Sequence, residues 1–77
     1  MTDNLDDFFG RTNKRNAVYW LNFYLRCYKE AKNRVERVFA KESAIDRALV
    51  ITDNAFTRKQ LKNMVDNHLD ELIRMTA

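Results

Sequence analysis

Residues 12–41, TNKRNAVYWLNFYLRCYKEAKNRVERVFAK, decide the fold. Their apolar positions Ala17, Leu21, Tyr24, Tyr28, Ala31, Val35 and Val38 follow one another at steps that alternate four and three. That spacing puts all seven on one stripe of an α-helix. Val18, Trp20, Leu25 and Phe39 widen the stripe. The spacing predicts one helix that begins near Thr12 or Asn13 and runs to about Lys41. At 1.5 Å per residue it would be about 43 Å long.

On the C-terminal side, Ser43 with Asp46 three residues on resembles a capping box, which predicts a short helix through Ala44, Ile45, Ala48 and Leu49. Thr57 with Gln60 is a stronger signal, because hydroxyl and amide satisfy opposite backbone donors. Phe56 just before it is placed to pack on Leu61 as a hydrophobic staple. The last helix should then run from 58 to about 75, roughly 28 Å. Leu61, Val65, Leu69 and Leu72 form its buried stripe, with Met64 and Met75 beside it. If the two long helices pack antiparallel, the last is too short to cover the first. The end left open is the aromatic one, around Ala17 to Tyr28.

On the N-terminal side, residues 1–10 read as an acidic segment with a short helical turn, capped by Thr2 or Asp3 and ended by Gly10 in a left-handed conformation. Within Thr2 to Phe9, TDNLDDFF, the residues Leu5, Phe8 and Phe9 stand at i, i+3 and i+4 and make a three-pronged apolar plug beside Asp6 and Asp7. This string resembles the peptide box by which replication and repair proteins dock on the sliding clamp. There an aliphatic residue and two aromatics have the spacing h-x-x-F-F behind a glutamine, a position held by Thr2 here. LDDFF looks very like the box of flap endonucleases. The resemblance implies docking through Leu5, Phe8 and Phe9. The same plug would equally cover the open aromatic end of the first helix or a second subunit.

The chain has 77 residues, enough for one domain, and no disulfide, because Cys27 is its sole cysteine. A domain of this size buries only about 60–65% of its unfolded surface and often leans on a partner or on self-association. With no proline and a single glycine, strands and tight hairpins are not expected. The expected class is all-α: long helix, short helix and antiparallel return helix after a short N-terminal turn, forming a homo-oligomer. A lone thiol and the lack of a signal peptide or an apolar span point to a cytoplasmic protein with no membrane contact.

Net charge is +3, unevenly spread: −3 over residues 1–9, +7 over 10–41 and −1 over 42–77. A basic central segment favours an acidic partner, either nucleic acid or an acidic protein surface. On the polar face of the first helix Arg15, Asn22, Arg26, Lys29, Asn33 and Arg37 share a sector of about 80°, with Tyr19 inside it and Phe23 beside it. Basic groups among aromatics suit phosphate contact with base stacking, and suit a protein interface as well. Arg58, Lys59 and Lys62 open the last helix against its dipole, a small local cost that hints at function. Residues 43–72, a short helix, a turn and a capped helix, vaguely resemble a helix-turn-helix.

Catalytic chemistry is not expected. A single glycine makes no phosphate loop, and one cysteine with one histidine makes none of the usual zinc spacings. Cys27 reads as a small buried hydrophobe and His68 as a core-edge histidine on the apolar stripe of the last helix. Asp66 and Asp70, one turn apart beside Glu71, read as a solvated face or as partners of the basic first helix. No metal, cofactor or catalytic residue is assigned. The expected function is a nucleic-acid-associated accessory protein that binds DNA or the replication or transcription machinery. The alternative is a protein-binding adaptor or inhibitor, of the size seen in phage or plasmid host-takeover products.

Overall fold

The computed structural model describes residues 16–77 with their side chains and residues 2–15 as helical backbone. Four helices follow in order: α1 Thr2–Glu30, α2 Arg34–Ile51, α3 Arg58–Asn67 and α4 Leu69–Thr76. The class is all-α, with no strand among the described residues.

The first long helix breaks where an unbroken run to Lys41 was expected. Asn33 adopts extended backbone (φ −142°, ψ 171°) and its side chain caps α2 by accepting the Glu36 N–H at 2.9 Å. Glu36 returns the contact by accepting the Lys32 N–H at 3.1 Å. Asn33 and Glu36 thus form a capping arrangement whose local bonds outweigh continuation of the helix. The break resets the helical phase. Val35 and Val38, placed on the seam by spacing, stand 79% and 52% exposed, and Ala40, Ala44 and Ile45 are buried instead. Asn33 and Arg37 likewise no longer continue the polar sector of α1.

Three further boundaries differ from expectation. Helix α1 runs through Gly10. A glycine inside a helix costs about 1 kcal/mol relative to alanine, and nothing adjacent compels a stop. Leu5, Phe8 and Phe9 therefore belong to α1, and a continuous helix cannot fold back over its own later turns. Their side chains lie outside the described residues, as does that of Arg15. Ser43 does not start a helix but sits inside α2, whose end comes at Thr52. The chain then turns through Asp53 and Asn54 in left-handed conformations (φ 53° and 62°), which these residue types tolerate.

The return helix is also divided. The Thr57–Gln60 capping box forms as read, with reciprocal bonds of 2.9 and 3.1 Å. Phe56 and Leu61 line one apolar pocket, as a staple would place them. At His68 (φ −133°, ψ 35°) the helix ends and α4 begins. Asn67 and His68 are both modest helix formers. The break lets α3 follow α2 and lets α4 turn onto α1. His68 is exposed there, not at the core edge, with Nδ1 3.7 Å from Glu71. Met75, expected beside the buried stripe, is 80% exposed.

The core gathers Leu21, Leu25, Ala44 and Val65, with Tyr24, Tyr28, Ala48, Ile51, Leu69, Leu72 and Ile73 packed around it. Leu25 and Ile45 are its largest fully buried side chains. An apolar pocket of about 110 Å³ lies within it, lined among others by Leu21, Leu25, Ala48, Leu61 and Leu72. Cross-helix contacts fix directions. Asn22 donates to the Ile73 carbonyl at 2.9 Å and the Thr76 hydroxyl at 3.0 Å, and Lys29 meets Asp70 at 2.8 Å. Helix α4 thus runs antiparallel to α1. Among the described residues no helix is long and apolar enough to cross a membrane.

Candidate functional site

Two surfaces compete as candidate sites: the basic groups singled out by charge, and an aromatic groove between α1 and α2.

The basic groups do not converge. Lys29 of α1 points to α4, where it pairs with Asp70. Arg58 of α3 reaches back to α2, pairing with Asp46 at 2.7 Å and with Glu42, and Lys62 meets Glu42 at 3.3 Å. Asp66 joins three elements: Lys41 Nζ donates to both its oxygens at 2.9 and 2.8 Å, and the Tyr28 hydroxyl donates at 2.9 Å. Of the two readings of Asp66 and Asp70, as a solvated face or as partners of the basic first helix, both have a part: the two are exposed, and they pair with Lys41, which lies in α2, and with Lys29 of α1.

These contacts set the protonation behaviour. Hydrogen bonds from Arg58 and then Lys62 hold the Glu42 carboxyl below its ordinary range. The Lys41 ammonium does the same to Asp66, helped by Tyr28, and Lys29 does so to Asp70. Burial, and then the Asp66 carboxylate, push the Tyr28 phenol up. Hydrogen bonds to Asp46 and then Glu42 raise Arg58. Arg26, Arg37 and Lys59 are exposed. Arg26 lies on α1, Arg37 on α2 and Lys59 at the start of α3, and so do not form one stripe.

The second surface is continuous. Rings succeed one another across the α1–α2 hairpin: Tyr19 to Trp20 at 5.3 Å, Trp20 to Phe23 at 5.3 Å, Phe23 to Tyr24 at 5.3 Å and Tyr24 to Phe39 at 6.0 Å. All four contacts are edge-on, the favoured arrangement of ring quadrupoles. All of the ladder but Tyr24, which is half-buried against the core, is open to solvent. Tyr19 is 62% and Phe39 63% exposed, and Trp20 and Phe23 are also exposed. Next to it lies an open groove of about 340 Å³ lined by Phe23, Tyr24, Cys27, Ala31, Phe39 and Ala40, with Glu30 and Glu36 at one end. Towards the other end Asn16, Ala17, Trp20, Asp46, Arg47 and Val50 line a second hollow, where Asp46 is engaged by Arg58. The Arg47 guanidinium sits 5.3 Å from the centre of the Tyr24 ring. Cys27 is only half-buried and lines the groove, not the core.

Of the groups expected to bind a partner, Tyr19 and Phe23 belong to this ladder, and Arg26 lies about one turn from Phe23 and two from Tyr19 along α1. Lys29, Arg58 and Lys62 are turned to other helices. Trp20, Phe39, Arg47 and Glu30 were not singled out. A signal was present for Trp20 alone of these four: Trp20, Phe23 and Cys27 recur at three and four, beside the stripe of Leu21 and Leu25. Helix α1 therefore carries two apolar faces, only one of which the core uses.

Among the described residues no group of three or more metal-ligating side chains gathers. No known protein family, curated protein or solved structure matches the chain.

Proposed function

We propose that this chain acts by binding a polypeptide, as an adaptor or inhibitor, through the aromatic groove of the α1–α2 hairpin, with no catalytic step. The observation that carries this reading is the exposed ring ladder from Tyr19 to Phe39. A contiguous apolar patch rimmed by polar residues is what interaction surfaces expose, and Trp, Tyr and Arg dominate the energetics of such surfaces. Trp20, Tyr24 and Arg47 supply those three types, with Trp20 and Arg47 each in contact with the Tyr24 ring.

The second reading is nucleic-acid binding. It draws on Tyr19, Phe23 and Arg26, which lie side by side on an exposed face of α1 and suit base stacking with phosphate contact. Docking on a replication clamp through Leu5, Phe8 and Phe9 belongs with these proposals.

Affinity capture from cell lysate, with and without nuclease, separates the two. Polypeptide binding predicts a captured protein, whether another copy of the chain or a different one, that survives nuclease and is lost with Phe39→Asp. Material that vanishes with nuclease, or that Phe39→Asp leaves unchanged, overturns the groove reading.

A further inference from the structure

Resting on the polypeptide-binding reading, we infer that the occupant of the groove is a second copy of this chain, packed antiparallel into a four-helix dimer interface. The groove is lined mainly by apolar side chains, is acidic at one end and adjoins Arg47 beyond the other. Glu30 and Glu36 stand at the Cys27 end; towards the Trp20 end stand Asp46, whose charge Arg58 of the same chain answers, and Arg47, which faces the Tyr24 ring. Two copies can meet face to face about a two-fold axis lying in the plane of the groove. An axis parallel to the helices sets Glu30 and Glu36 of one copy against the same residues of the other, and Arg47 against Arg47. An axis perpendicular to the helices reverses one copy end for end. It brings the acidic end of each to the Arg47 end of its partner, twice per dimer. Charge therefore selects the antiparallel arrangement and makes the groove self-complementary. The rings fill the middle, where Phe39 and Phe23 meet their counterparts and Trp20 becomes covered. The second pair of helices also covers the face of α1 that the core leaves open, and the continuous course of α1 keeps its own N-terminal turns away from that face.

Sedimentation of the purified chain at about 100 µM, where micromolar dimers are populated, should give twice the 9.2 kDa chain mass. Emission of Trp20, the sole tryptophan, should shift to the blue as concentration rises. Phe39→Asp should weaken the dimer by at least about 30-fold, the effect of a buried hot spot. Phe39 is exposed within one chain, so circular dichroism should stay unchanged. Glu30→Arg and Arg47→Glu should each weaken the dimer, and the two reversals in one chain should restore it. Glu36 is spared because it caps α2. A monomer at this concentration overturns the inference, as does a dimer indifferent to Phe39→Asp or a double reversal weaker than either single one. If the chain is monomeric yet captures a different protein in a Phe39-dependent way, the second copy is refuted and the polypeptide-binding reading stands.

Discussion

Replacing Leu25 by alanine, with Val38→Ala as its companion, tests where the core lies. Spacing alone assigns both residues to one broad seam. In the structure Leu25 is fully buried, while Val38 is more than half exposed beyond the break at Asn33. Leu25 packs with Leu21, Ala44 and Val65 and already borders the apolar pocket of about 110 Å³. Its truncation should enlarge that pocket, because the surrounding side chains have not closed over the space now present. Buried leucine to alanine changes cost about 2–5 kcal/mol, rising with the cavity left behind, which puts Leu25→Ala near 3–4 kcal/mol. At roughly 0.05–0.15 kcal/mol per residue, a chain of this length holds about 4–12 kcal/mol in all. The variant should thus lose a quarter or more of its stability, with Tm falling by about 12–32 °C. Val38→Ala, which removes exposed methyls, should cost less than about 0.5 kcal/mol. Urea and thermal melts followed by far-ultraviolet circular dichroism measure both. Equal losses for the two variants would mean that the seam runs unbroken through residue 33. A loss below about 1 kcal/mol for Leu25→Ala would remove it from the core.

Two further outcomes are expected. Asn33→Ala should destabilise by about 1 kcal/mol through loss of the α2 cap, read from the urea midpoint; no change would show that the cap is not what separates α1 from α2. Asp66, Asp70 and Glu42 are all held below their ordinary values, so their contribution is present above the unfolded values near pH 4 and fades as pH falls through the folded ones. Urea midpoints should therefore be flat around neutrality and fall below about pH 4, and Asp66→Asn should make that fall shallower; parallel acid limbs in the two proteins would contradict the Lys41–Asp66 linkage.

The helical class and the capping box at Thr57 were legible because each rests on local chemistry. The break at Asn33 rests on the same chemistry, yet it is hidden in the sequence. Ala31, Val35 and Val38 keep the apolar phase across it, so periodicity and capping gave opposite answers and the structure follows the cap. The reverse holds at Ser43. There the hydroxyl and Asp46 have cap spacing, but Ala40, Ala44 and Ile45 bury one continuous face, and Asp46 turns out to bind Arg58. The break at His68 has no strong local marker, only two modest helix formers in succession. Its consequence is tertiary: it divides one helix between two neighbours. The groove was missed because α1 carries apolar residues over much of its girth. Without the second helix, nothing distinguishes the face that meets Ala44 and Val65 from the one that meets Phe39.

Charge was the main ground for expecting an acidic partner, and folding changes its weight. The excess of positive charge in residues 10–41 and the slight negative excess after them are two halves of one arrangement. Lys29 meets Asp70, and Lys41 meets Asp66. Within the C-terminal half, Arg58 and Lys62 meet Glu42 and Asp46. Each pair joins different helices: α1 to α4, α2 to α3. As exposed pairs they add little stability singly. Wrong pairings of like charge are disfavoured, however, so the pattern helps set which helix lies beside which. Part of the basic segment's acidic partner is thus the chain itself, and net charge loses force as a pointer to nucleic acid. The rings from Tyr19 to Phe39 have no such internal explanation. Tyr24 packs against the core, but Tyr19, Trp20, Phe23 and Phe39 are exposed to water in a single chain, beside a groove with Glu30 and Glu36 at one end. Whatever binds this protein has to account for that face first.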